Sequence, residues 1–290
     1  MSHMEKYGLE LAGVNVCLST DQELTITDRL TPFLVNGEML EPDCFIEITS
    51  CELFPPIPEE GERRGPAYHV YCGEEQWIFH YKDATDKPYA WVRMLPSGDI
   101  QVRYLPEYAS FFTGTAGLFN RNGAENLFLQ YQRLILHAAF VKDKEKAILF
   151  SGPSGIGKST QAELWRQHKK AEIVNGDKVA IGQVNDVWTA WGIPYAGTSR
   201  IYRRESAPIE AIVILQQAKI NRIQKLVASK AAARLYPEFT MHTWDEIYVD
   251  KVLEILRKIV TEVPVYLMEC LPDESAVTYL NDFLEKERTT

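Results

Sequence analysis

The sequence predicts a β-rich amino-terminal domain over residues 1–122 followed by an α/β domain over residues 123–290. Three observations carry this expectation. Up to residue 105, short runs alternate apolar and polar positions and are rich in β-branched and aromatic residues, the pattern of half-buried strands. After Asn122 the apolar spacing becomes that of helices interleaved with short buried strands. Between one such strand and one such helix lies a glycine-rich turn, Gly152–Ser159.

In the amino-terminal part, strand patterns run through Tyr7–Leu18, Cys44–Leu53, Tyr68–Tyr71, Trp77–Tyr81, Trp91–Leu95 and Ile100–Tyr104. Val35-Asn36-Gly37, Asp86-Lys87-Pro88 and Ser97-Gly98-Asp99 supply turn chemistry between them. The prolines and charges of Phe54–Pro66 read as an exposed loop. Gly123–His137 carries Leu127, Phe128, Tyr131, Leu134 and Ile135 at helical spacing. Lys146–Ser151 is a short strand, Thr160–His168 a helix, and Glu172–Asn175 and Val179–Ile181 are strands about a turn. Ile209–Gln216 is a buried strand. Helices follow at Ala228–Arg234 and Asp245–Val260, the second with Ile247, Val252, Leu253 and Leu256 as its core stripe. A strand at Pro264–Cys270 and a helix at Ser275–Lys286 complete the chain.

Composition narrows the function classes. A chain of 290 residues with 46% hydrophobic content can bury a full core. Its 31 basic and 40 acidic residues give a net charge of −9, without the basic footprint of a nucleic-acid binder, so no nucleic-acid partner is expected. Cys17, Cys44, Cys51, Cys72 and Cys270 form no C-x-x-C pair and are odd in number, which argues for a reducing, cytoplasmic compartment rather than a disulfide framework. His69 and His80, near Cys72, lack metal-ligand spacing and read as structural. No apolar run approaches the ~18 residues of a membrane span, so no membrane partner is expected.

Gly152-Pro153-Ser154-Gly155-Ile156-Gly157-Lys158-Ser159 matches G-x-x-x-x-G-K-[ST] in full, and Thr160 continues it. Glycines let successive backbone N–H groups turn toward one anion. The following helix adds the positive end of its dipole. In this pattern Lys158 reaches the β- and γ-phosphates and the Ser159 hydroxyl ligates magnesium. The strand Ala147–Phe150 before the loop and the helical Gln161–Trp165 after it are the context the motif requires, so ATP and Mg2+ are the expected cofactors.

Together with Asp177 in Val174-Asn175-Gly176-Asp177-Lys178-Val179 and with His137, this segment resembles the HPr kinase-like branch of the P-loop kinases, which includes the bacterial phosphoenolpyruvate carboxykinase relatives. The stretch Trp191–Thr198, followed by Ala207-Pro208 and Ile209–Leu215, is similar to HPr kinase-like proteins of Gram-positive bacteria, some of which phosphorylate a serine of a lasso precursor peptide. The resemblance spans about residues 123–285 and implies an α/β P-loop kinase domain of HPr kinase type. It departs in two places. Gly176 stands where HPr kinases have the first of two aspartates, and their glutamate-isoleucine-arginine-glycine signature is missing. The nucleotide chemistry is therefore implied more strongly than HPr as the acceptor. The implied acceptor is a hydroxyl on a peptide, a protein or a small molecule, and a nucleotide-binding regulator is the non-enzymatic alternative.

The remaining candidates follow. Asp177, 19 residues after Lys158, is either a turn aspartate or a carboxylate that holds magnesium or accepts the acceptor's proton; the resemblance favours function. His137, 15 residues before Gly152 and read as the junction of a helix with Ala138–Lys142, is either structural or orients that carboxylate. Of Arg200, Arg203 and Arg204, Arg200 is the first choice for stabilising the transferred phosphoryl group, a solvated basic face being the alternative. Thr189, Trp191 and Tyr195 are either core or the lining of an acceptor or adenine pocket. The amino-terminal domain, rich in aromatics, is the expected reader of the acceptor.

Overall fold

The computed structural model describes residues 4–26, 29–35, 41–58, 62–64, 67–72, 75–82, 87–121, 124–195, 197 and 199–289. The turn residues Asn36, Gly37 and Asp86, and Ala196 and Thr198 of the later glycine turn, lie outside these. The chain forms a β-rich unit and an α/β unit that divide between Gln130 and Tyr131. This is later than the expected division at residue 122.

The first unit contains β1 (Glu5–Leu11), β2 (Val14–Thr20), β3 (Leu34–Val35), β4 (Cys44–Ser50), β5 (Glu62–Arg64), β6 (Tyr68–Cys72), β7 (Gln76–Tyr81), β8 (Pro88–Met94) and β9 (Ile100–Tyr104). They make one sheet in the order β3-β1-β2-β4-β9-β8-β7-β6-β5. The single strand pattern expected over Tyr7–Leu18 is in fact a hairpin. Ala12 (φ 53°) and Gly13 (φ 77°) both adopt left-handed backbone, as a two-residue turn between right-twisted strands requires. The segment expected as loop up to Pro66 contains β5, which pairs with β6. Along β9, Ile100, Val102 and Tyr104 are buried while Gln101 and Arg103 are less so, and the same alternation runs along β2 and β4. Strands β7 and β8 are buried on both faces, since Phe79 and Trp91 join Tyr71 and Tyr81 in a second cluster. Two short helices follow, α1 (Thr115–Asn120) and α2 (Ala124–Gln130).

The second unit begins with β10 (Leu134–Asp143), β11 (Lys146–Ser151), α3 (Lys158–Lys169), β12 (Glu172–Asn175), β13 (Lys178–Val184), β14 (Val187–Gly192) and β15 (Ser206–Gln217). It ends with β16 (Arg222–Lys225), α4 (Ala228–Leu235), β17 (Phe239–Thr240), α5 (Glu246–Glu262), β18 (Val265–Cys270) and α6 (Glu274–Thr289). The helix expected over Gly123–His137 stops at Gln130, and Leu134, Ile135 and His137 are strand residues of β10. The apolar spacing was shared by two elements. Buried on both faces, Leu134–Leu136 has no strand alternation to reveal it.

Two long strands shape this unit. Residues 134–137 of β10 pair with β13, and 138–143 pair with β11. Residues 206–208 of β15 pair with β14, and 209–214 run parallel to β11. Strand β18 lies parallel on the far side of β15. The helices α3 and α6 cover the parallel strands, with Trp165, Val277 and Leu280 packed on Phe150, Val213 and Met268. On α5 the buried stripe is Tyr248, Val252, Ile255, Leu256 and Ile259. Ile247 and Leu253, expected in the core, face outward at 70% and 43% exposure. The register of the 3.6-residue period starts from the Asp245 cap and sets this face.

His80 sits in the β-rich core, where its Nε2–H donates to the Arg121 carbonyl at 2.9 Å. Burial pulls its pKa down from 6.5 to about 4. A depressed folded value means stability present above pH 6.5 and lost as pH falls toward 4. We predict that the stability advantage of the wild type over His80→Leu shrinks across this window by up to roughly 3 kcal/mol. A difference independent of pH in denaturant titrations would contradict this.

Candidate functional site

The glycine loop joins β11 to α3. Gly152, Gly155 and Gly157 have φ of 133°, 79° and 116°, backbone that side chains with a Cβ rarely adopt. At Gly155 and Gly157 a Cβ would stand in open space, so the requirement there is conformational rather than steric. Four loop carbonyls are engaged from within the protein. The Lys158 ammonium donates to Gly152 O at 2.6 Å and Pro153 O at 3.1 Å. The Gln217 carboxamide, at the end of β15, reaches Gly155 O at 3.3 Å and Ile156 O at 3.4 Å. By contrast, the N–H groups of Ser154, Gly155, Gly157, Lys158 and Ser159 make no hydrogen bond among the described residues. Carbonyls tied back and amides left over at a helix start are the makings of an anion site. Gly157 caps α3 in the left-handed conformation, with no side chain competing for the first-turn amides.

Lys158 is buried apart from its approach to the loop. Burial lowers its pKa, against the opposing charges of Glu238 and Asp177. Ser159 and Thr160 are exposed on the first turn of α3. The fit to a magnesium nucleotide is chemical: hard oxygens at Ser159 and Asp177, free amides and one ammonium.

Asp177 follows β12. Its backbone is set by Asn175, which is fully buried. The Asn175 carboxamide donates to Ile193 O at 2.9 Å and Tyr195 O at 2.8 Å. Its oxygen accepts from the N–H groups of Asp177 at 2.9 Å and Lys178 at 3.1 Å. The turn chemistry expected of Asn-Gly-Asp is therefore present, and it aims the carboxylate. Gly197 packs onto it so closely that a Cβ would lie 2.9 Å from the Asp177 carboxylate.

His137 is the last residue of β10 paired with β13, beside the point where β10 turns to β11. The Ser151 hydroxyl, leading into the loop, donates to His137 O at 3.0 Å, and the Ala138 N–H donates to Asp177 O at 3.0 Å. His137 Nε2 lies 3.6 Å from Asp177 Oδ1, and its Nδ1 lies 3.3 Å from Glu238 Oε2. The His137 ring beside it holds the Asp177 carboxyl below the ordinary carboxylate range, against the effect of burial, with Lys178 and Lys158 adding to it.

Glu238 was not singled out in the sequence. It stands in a short 3₁₀ turn, Tyr236–Glu238, ahead of β17, with no motif around it. The register Ile135↔Thr240 and Leu136↔Phe239 brings it opposite His137, a pairing that local pattern does not carry.

Of the arginines, Arg200 is exposed, with a left-handed φ of 53°, and its guanidinium has no partner among the described residues. Arg203 pairs with Glu172 at 3.5 Å and Glu205 at 3.8 Å. Trp191 and Tyr195 are buried, with Arg133 lying 4.6 Å over the Trp191 ring and Lys178 4.9 Å over the Tyr195 ring, so both are core residues. The Thr189 hydroxyl turns back to Val187 O.

The family model of SynChlorMet cassette protein ScmC matches residues 126–272, slightly more than half of the chain, and this span holds every residue of the site. No curated protein matches. Among solved structures, the Hpr(Ser) kinase/phosphatase from Coxiella burnetii is similar at 13% identity, over 53% of this chain and 94% of that one, with a TM-score of 0.32. At that score the chains do not superimpose as wholes, and function is read from the site itself. No helix among the described residues is long and apolar enough to cross a membrane.

The loop geometry predicts that Mg-ATP raises the melting temperature of the wild type, by the equivalent of about 2.7 kcal/mol at a hundred times Kd. Lys158→Ala is expected to lose most of that shift. An unchanged shift in the variant would move the nucleotide elsewhere.

Proposed function

The chain belongs to the family of SynChlorMet cassette protein ScmC, and we propose that it is a kinase that transfers the γ-phosphoryl group of ATP to a hydroxyl, either a serine of a peptide or protein or a small-molecule alcohol. The observation that supports this best is the juxtaposition of unengaged loop amides and Lys158 with the Asp177–His137 pair. The amides and Lys158 suit the triphosphate, whose transferred group carries charge over its equatorial oxygens.

One Asp177 oxygen faces His137, and the other has no partner among the described residues. That second oxygen takes the proton of the acceptor hydroxyl as the new O–P bond forms and the bridge to the β-phosphate breaks, releasing ADP. His137 steadies the carboxylate. Ser159 Oγ would hold magnesium, which when bound neutralises phosphate charge. Arg200, an exposed cation whose guanidinium has no partner among the described residues, is suited to the transferring group. The β-rich unit, which this chemistry does not use, is the place for reading the acceptor.

Asp177→Asn is expected to keep Mg-ATP binding and to lower transfer by about 10²–10⁴. The measurement is label transfer from γ-labelled ATP to peptide, protein and small-alcohol acceptors. Near-normal transfer would remove Asp177 from the reaction, and loss of magnesium-dependent binding would make it a metal ligand instead of the base. Because its pKa is depressed, the ionised base persists as pH falls to the ordinary carboxylate range, and transfer supported by it is lost only below that range.

A further inference from the structure

A buried carboxylate is costly unless a partner compensates it. Glu238 is 9% exposed, and its one ion-pair partner among the described residues is His137. It also lies near enough to Lys158 to act on its charge. A glutamate that served the core alone would have no reason to sit at this point. The strand register places it opposite the histidine whose other nitrogen faces Asp177.

We propose that Glu238 is the positioning residue of this site, acting through His137. An imidazole has two inequivalent nitrogens, and the partner of one decides what the other presents. Nδ1 lies 3.3 Å from Glu238 Oε2, and both ring nitrogens face carboxylate oxygens, which only accept, so each is met by an N–H and the Glu238 contact sets which way the ring turns. Nε2 is thereby aimed along one line at Asp177 Oδ1, 3.6 Å away. This contact is longer than a hydrogen bond in the free protein, and such contacts tighten when substrate fills a site. The arrangement has the logic of a base oriented by a second group, itself oriented by a third. Asp177 touches the acceptor, His137 touches Asp177, and Glu238 touches neither substrate.

Two features of this chain make such a device necessary. Gly176 leaves Asp177 as the single carboxylate at this strand end, so no neighbouring aspartate shares its placement. His137 is the last β10 residue bonded to β13, where the strand changes partners, so backbone pairing alone does not hold its ring.

The proposal rests on the kinase reading for its kinetic arm but not for its spectroscopic one. Nitrogen-15 NMR of the ligand-free protein is expected to show the His137 ring protonated at Nδ1 in the wild type and in Glu238→Gln, which retains an acceptor oxygen. In Glu238→Leu that state is expected to be lost. A wild-type ring bare at Nδ1 overturns the proposal whatever the enzyme does. In transfer assays Glu238→Leu should lower kcat by about 10- to 100-fold with KM for ATP unchanged. Glu238→Gln should recover most of it, and Glu238→Leu should cost little further in a His137→Gln background. A rise in KM for ATP with kcat intact would show that Glu238 serves Lys158 instead, and full additivity of the two substitutions would show that it acts independently of His137. Should Glu238→Leu not fold, the wild-type ring state and the Glu238→Gln kinetics still decide the question. Absence of transfer from every variant and from the wild type would defeat the kinase reading and leave the NMR result standing.

Discussion

A fully buried carboxamide, that of Asn175, holds the site in register. Its two N–H groups and its oxygen are all used, on Ile193, Tyr195, Asp177 and Lys178. Buried polar groups left without partners cost on the order of 1–3 kcal/mol each, so the end of β12, the turn after it and the segment after β14 are bound to one arrangement. Asp177 inherits its direction from this network. A base of the proposed kind has to meet one proton at one place, so it cannot rest on a mobile turn. Here the turn's geometry is dictated from the core.

The rest of the site is assembled by strands that change partners. Residue 137 ends the part of β10 bonded to β13, and residue 138 begins the part bonded to β11. The same short stretch therefore touches the turn of Asp177, the Ser151 hydroxyl ahead of the glycine loop, and the 3₁₀ turn of Glu238. Strand β15 does the equivalent on the other side, running beside β11 and ending in Gln217, which engages the loop carbonyls. Both the glycine loop and the Asp177–His137 pair hang from rigid elements, which is how a site keeps its geometry without ligand present.

Much of this was legible in the sequence, for identifiable reasons. The loop was legible because its glycines, lysine and serine are contiguous and the required strand and helix flank them. The buried strands β11, β15 and β18 announced themselves as apolar runs bounded by turn residues. What stayed hidden depends on contacts between distant segments. His137 looked like a helix end because the α2 and β10 apolar residues happen to share one spacing. Strands β16 and β17 are too short to show a period. Glu238 reaches the site only through the pairing of β17 with β10, and no local pattern encodes that register. The hairpin at Ala12-Gly13 was masked because alternation continues across it, and only the left-handed backbone separates the strands.

Underlying the whole account is the claim that one place holds the triphosphate and the proton acceptor together. The most direct measurement is a crystal structure with magnesium and a non-hydrolysable ATP analogue. The account predicts the β- and γ-phosphates on the amides of Gly155, Gly157, Lys158 and Ser159, with the γ-phosphate facing the free oxygen of Asp177. Nucleotide bound away from this loop, or bound to it with the γ-phosphate turned from Asp177, would contradict it.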